Sequence, residues 1–170
     1  MSGISLGKES TLIKIATLKT VNKVSNNIKD VNAQDTIKVM TWNIRFGVAR
    51  LRFFGDGCGD RVIMTKSEVI EGLEGIAEKI NQENPDILFI QEADVQSKKT
   101  GYINQAQWLL DHTDFNYGAY GSMWESQIIL ADGLGRVNTG NLILSKCSLL
   151  SFFLSIGSSS LSINSLRGSM

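Results

Sequence analysis

The chain has 170 residues, 42% hydrophobic and 20% charged, the length and balance of one soluble globular domain rather than a disordered tail. Seventeen basic residues against seventeen acidic ones leave no net charge, which excludes a protein that coats nucleic acid through counterion release alone. Two cysteines, Cys58 and Cys147, are too few for a disulfide scaffold and lack the spacing of structural zinc ligands.

Composition divides the chain into residues 1–35, 36–146 and 147–170. In the first zone Leu12, Ile15, Leu18, Val21, Val24 and Ile28 recur every three or four residues, with Lys14, Lys19, Lys23 and Lys29 between them. That spacing predicts an amphipathic leader helix, or else a loose linker whose charged side chains simply meet water. The segment lacks the apolar core and cleavage site of a secretory signal, and no tract approaches the length of a membrane span, so the expected location is cytoplasmic.

In the second zone Ile37, Val39 and Thr41 alternate with Lys38, Met40 and Trp42 in a β-rich run that ends at Asn43, the pattern of a strand. A long glycine-bearing connection follows, from Phe46 to Met64. Thr65 with Glu68 three residues later forms a capping box, and Val69, Leu73, Ile76, Ala77 and Ile80 then make one apolar helical stripe. Pro85 closes that helix. The nearly all-apolar run from Asp86 to Gln91 reads as a strand buried on both faces, completing a β-α-β unit. A second helix is expected from Ile103 to about His112, then strands over 117–121, 127–130 and 141–144 with a turn around Asp132. The fold class is α/β.

The third zone, 147–170, is rich in serine, and Arg167 is its sole charged side chain. It does not continue the preceding pattern. The expectation is that the native sequence is interrupted after Lys146 by a shifted frame or read-through, the alternative being a genuine low-complexity tail.

Two polar residues stand where an α/β protein normally places its chemistry, at the carboxyl ends of adjacent strands: Asn43 and Glu92. A carboxylate there suits a hard cation such as Mg²⁺, which keeps most of its waters and needs only one or two protein carboxylates. An adjacent asparagine offers a neutral donor and acceptor for a phosphate oxygen. By spacing alone, a surface or capping acid is the simpler reading.

The wording of three segments adds more. TWNIRFG (41–47), NPDILFIQEAD (84–94) and GNLILSK (140–146) together resemble the endonuclease/exonuclease/phosphatase family, with its deoxyribonuclease I-like fold. The resemblance implies a four-layer α/β sandwich, of which this chain would supply the first half, and a phosphodiester or phosphomonoester hydrolase dependent on Mg²⁺ or Mn²⁺. It assigns Asn43 to the family's active-site asparagine and Glu92 to its metal-binding glutamate. Gln91 and Asp94 flank the ligand as lesser candidates, while Asn141 and Ser145 fall on a strand that the family uses mainly for structure.

The family's later site segments, an Asp-x-Asn strand end and a Ser-Asp-His run, are not found after Lys146. The chain alone is therefore expected to be nearly inactive, and to need a missing second half or a partner for folding. Asp111-His112 and Asp114-Phe115-Asn116 mimic the absent motifs but follow a helical pattern, so His112 reads as a helix C-terminal residue complementing the dipole. Arg45 and Arg61 are candidate phosphate contacts, and the loop at 53–61, with Cys58, reads as a segment near the site rather than a P-loop. Trp108, Tyr117, Tyr120 and Trp124 read as core or sheet-face residues. The resemblance implies a phosphate-ester substrate, with nucleic acid and phospholipid or inositol phosphate left undecided. A non-catalytic module that keeps the half-fold and binds a partner is the alternative function.

Overall fold

The computed structural model describes residues 19–22, 36–48, 61–147 and 162–167. Strands β1 (Lys19–Asn22), β2 (Thr36–Asn43), β3 (Ile87–Asp94), β4 (Tyr117–Ile129), β5 (Gly135–Ser145) and β6 (Ser162–Arg167) form one sheet in the order β1-β4-β5-β3-β2-β6. Helices α1 (Lys66–Glu83) and α2 (Gln105–His112) pack against it. The class is α/β, as the sequence predicts. The sheet is mixed: β2 runs parallel to β3 and to β6, whereas β5 is antiparallel to β3 and β4.

α1 begins where its capping box predicts. The Thr65 hydroxyl accepts from the Glu68 N–H, and the Glu68 carboxylate accepts from the Thr65 N–H at 2.9 Å. It ends at Asn84, whose left-handed backbone (φ 50°) and N–H bond to the Ile80 carbonyl make a C-cap just before Pro85. Its buried residues are Val69, Leu73, Ile76, Ala77 and Ile80, the predicted stripe. α2 is capped by the Asn104 side-chain Oδ1, which accepts from the Gln107 N–H at 3.1 Å, and it buries Gln105, Ala106, Leu109 and Leu110.

These two stripes meet one face of the sheet. Met40 and Trp42 of β2, Leu88 and Ile90 of β3, Tyr120 of β4 and Leu142 and Leu144 of β5 join them in one core. Burying each such large side chain contributes about 1.5–3 kcal/mol, so this layer is the main source of stability. Strand alternation sends Thr41, Phe89 and Ile143, which lie in register across β2, β3 and β5, to the opposite face, where Phe89 is 39% exposed.

Three features depart from the sequence reading. Lys19–Asn22 is a strand antiparallel to β4 instead of a stretch of helix; the rest of the expected leader helix lies outside the described residues. The three short strands expected after α2 are two long ones, whose ladder slips at bulges between Ser122 and Trp124 and between Ser126 and Ile129. Those slips break the period-two alternation that would have announced a continuous strand. Residues 162–167 of the serine-rich zone pair with β2 as a parallel edge strand. Residues 148–161 and the 49–60 stretch of the glycine-bearing loop, with Cys58, lie outside the described residues.

Gly140, from the GNLILSK segment, is required by close packing: a Cβ there would stand 2.1 Å from the Gly121 carbonyl oxygen on the neighbouring strand. Among the described residues no helix is long and apolar enough to cross a membrane.

Candidate functional site

Asn43 ends β2 directly opposite Gln91 of β3, and the Ile44 N–H extends that ladder by donating to the Gln91 carbonyl at 3.1 Å. Asn43 and the Gln91–Glu92 stretch, which Ala93 and Asp94 follow in β3, thus lie toward the carboxyl ends of two parallel strands, where α/β proteins place their ligands. Asn43 is exposed, and its side-chain oxygen accepts from the Arg45 N–H at 2.9 Å, a local turn that fixes the amide plane. Its NH₂ group stays available as a donor.

On β3 the ladder with β5 runs Ile90 to Leu142 and then Ala93 to Gly140, so Gln91 and Glu92 together oppose the single residue Asn141. This is a β-bulge, and bulges re-aim side chains. Glu92 takes the left-handed backbone (φ 57°), as do Arg45 (φ 47°) and Phe46 (φ 61°) on the facing turn. A non-glycine residue held there costs on the order of 1–3 kcal/mol, and such strain gathers at functional sites. Glu92 is half-buried, and among the described residues it has the field of Lys99 but no hydrogen bond or ion pair on its carboxylate.

The two flanking candidates are occupied otherwise. Gln91 donates its amide N–H to the Thr41 hydroxyl at 2.9 Å. Asp94 is wholly buried: its Oδ1 accepts from the Thr139 hydroxyl at 2.5 Å, its Oδ2 from the Thr100 hydroxyl at 2.9 Å, and Lys99 Nζ lies 3.4 Å away. Burial pushes the Asp94 carboxyl above its usual range, against the pull of Lys99 and the two threonines. Burial likewise lowers the Lys99 ammonium, against the pull of Asp94 and Glu92. Both directions say that desolvation outweighs attraction in this pair.

Other expected residues lie elsewhere. Arg61 makes a two-pronged contact with Glu68 at the start of α1, 2.7 Å on each prong, which commits its guanidinium to that carboxylate. His112 stacks on Trp108 at 3.8 Å between ring centroids, and its carbonyl accepts from Asn81 near the far end of α1. It therefore sits at the opposite end of the sheet from Asn43, which agrees with rejecting Asp111-His112 as a site motif. Asn116 is buried and donates to the Lys146 carbonyl. Tyr120 is core as expected, but Trp124 is 52% exposed on the outer part of the β4–β5 hairpin.

Asn141, which the sequence pattern marked only as part of a strand, lies exposed opposite the bulge that carries Glu92, a placement set by the β3–β5 register, and its amide donates to the Met123 sulfur at 3.3 Å. Asn43, Glu92 and Asn141 present oxygen and amide groups only, and among the described residues no three His, Cys, Asp or Glu side chains come together so that they could hold a metal ion. That donor set fits a hard cation that keeps much of its water, such as Mg²⁺, and not a caged zinc.

Residues 40–161 match the endonuclease/exonuclease/phosphatase family. The chain belongs to that family. The match includes Asn43, Glu92 and Asn141 and most of the described sheet. Among solved structures, the chain is similar to an endonuclease/exonuclease/phosphatase from Beutenbergia cavernae DSM 12333 at 22% identity and a TM-score of 0.41. That similarity covers 64% of this chain and 25% of the other, so the chain spans about a quarter of that protein's length. No curated protein matches the chain.

Proposed function

We propose that this chain carries the metal-holding part of a phosphoester hydrolase, with Glu92 as the carboxylate anchor for Mg²⁺ or Mn²⁺ and Asn43 as the group that orients a phosphate oxygen. The observation that carries this reading is the pairing of Asn43 with the Gln91–Glu92 bulge at one sheet edge, with the Glu92 carboxylate left without a hydrogen-bonding partner among the described residues. When bound, the cation supplies charge neutralisation and polarisation of a phosphoryl oxygen. Glu92 would hold it, and the half-buried setting strengthens that attraction over one in open water. Asn43, its oxygen already fixed by the Arg45 N–H, would donate its amide N–H groups to a non-bridging oxygen.

No histidine of this chain stands at that edge, because its single histidine is His112. A histidine to take a proton from an attacking water is thus not among these residues, and turnover by this chain alone is expected to stay near the metal-free background. Groups that act as a unit lose nearly all their rate together. The paramagnetic ion Mn²⁺, titrated into isotope-labelled protein, is expected to broaden the Asn43 side-chain amide and the Glu92 backbone amide first. Broadening spread evenly over the surface acids of α1 would reject the assignment.

A further inference from the structure

The two segments that carry Asn43 and Glu92 are joined twice through the same pair of residues, Phe46 and Asp94. Gln105, the first residue of α2 and wholly buried, donates its amide N–H to the Phe46 carbonyl at 2.6 Å, and its amide oxygen accepts from the Asp94 N–H at 3.0 Å. Lys99 makes the second link, with Nζ 3.2 Å from the centre of the Phe46 ring and 3.4 Å from Asp94 Oδ1. Phe46 lies three residues after Asn43, and Asp94 two residues after Glu92. Both segments contain left-handed non-glycine residues that would relax unless the surroundings over-determine them. Gly47 (φ 71°) leaves room for the strap, since a Cβ there would lie 3.1 Å from the Gln105 amide nitrogen.

From this geometry we infer that Gln105 is a positioning residue, a buried amide strap that fixes the Asn43 turn against the Glu92 bulge and so sets the spacing of the two site groups. A plain core glutamine would only need its amide satisfied; this one spends its donor on one site segment and its acceptor on the other. The Asn104 cap holds the start of α2, which makes the helix a rigid base for the strap. Its role in metal binding rests on the reading of Glu92 and Asn43 given above, whereas its role in joining the segments does not.

The test therefore has a metal-free arm and a metal arm, on the whole chain. In hydrogen exchange without metal, Gln105→Met should raise the exchange rate of the Ile44 amide, which bridges to Gln91, at least tenfold relative to core amides such as that of Leu88. In calorimetry, Gln105→Met should weaken Mg²⁺ at least tenfold, the usual scale for groups that orient metal ligands. Asn81→Ala, which removes the hydrogen bond to the His112 carbonyl near the far end of α1, should leave both readouts unchanged. Gly47→Ala is the milder variant should Gln105→Met fail to fold, with the same two shifts expected. An Ile44 amide that exchanges with the core in the folded Gln105 or Gly47 variant overturns the strap. Absence of Mg²⁺ binding by the parent chain, together with faster Ile44 exchange in the variant, overturns the metal assignment and keeps the strap.

Discussion

Glu92 and Asp94 are carboxylates two residues apart at the end of one strand, and their surroundings differ in nearly every respect. Glu92 sits on a bulge, half-buried, with no hydrogen-bonding partner among the described residues. Asp94 is back in register opposite Thr139, wholly buried, and engaged by two hydroxyls and an ammonium. The difference teaches that acid type and nearness to a motif do not set what a carboxylate can bind; whether its acceptor capacity is already engaged does, which is why Glu92 and not Asp94 is the proposed anchor. The bulge separates the two roles, because it rotates Glu92 out of the network that consumes Asp94.

The comparison can be broken most forcefully at Asp94. Asp94→Ala strands the Lys99 charge in the interior and should cost about 3–5 kcal/mol in urea unfolding. Replacing the pair together, Asp94→Asn with Lys99→Met, should recover most of that loss, because burial disfavours both charged forms. The sign is consistent: a carboxyl raised above 3.8 by folding adds stability below that pH and loses it as pH rises through the folded value. A double variant as unstable as Asp94→Ala would show that the charges themselves hold the β3 end. Removing one hydroxyl partner with Thr139→Val should cost less, about 1–3 kcal/mol, since Lys99 and Thr100 remain.

A third acid sharpens the contrast by titrating in the opposite sense. Contacts with Arg61 first, then the Thr65 N–H and hydroxyl, lower the Glu68 carboxyl to about 2. Its contribution is present above its ordinary value of 4.5 and lost as pH falls from there to about 2. Glu68→Gln should therefore flatten the acid side of the stability profile in that window, as followed by circular dichroism; an unchanged acid limb would contradict it. Smallest of all, Glu92→Gln should change stability by about 1 kcal/mol or less, because it removes no hydrogen bond among the described residues and only the field that Glu92 exerts on Lys99.

Much of this architecture could be read from the chain because it is local. The α1 capping box and stripe, and the apolar run of β3, depend on residues within a few positions of each other, and each appears where the pattern places it, although β3 runs on to Asp94 and Phe89, expected to be buried, is 39% exposed. What could not be read depends on distant partners. Lys19–Asn22 has helical spacing but is drawn into an edge strand by β4, some hundred residues away in sequence, a case of pairing overriding local preference. Residues 122–126, which join the strands expected over 117–121 and 127–130 into one, lack alternation because the ladder slips there. At the site, Asn43 and Glu92 were visible through their motifs. The burial of Asp94 was not, since it requires Thr139 and Lys99 to converge, and neither was the strap from Gln105.

The most direct test of the central claim is Mg²⁺ calorimetry on the parent chain, on Glu92→Gln, and on Glu68→Gln, whose carboxylate is already engaged by Arg61. The account predicts equal binding by the parent and by Glu68→Gln, and at least a tenfold loss in Glu92→Gln. Equal affinity in the parent and Glu92→Gln, or loss in Glu68→Gln alone, would contradict it.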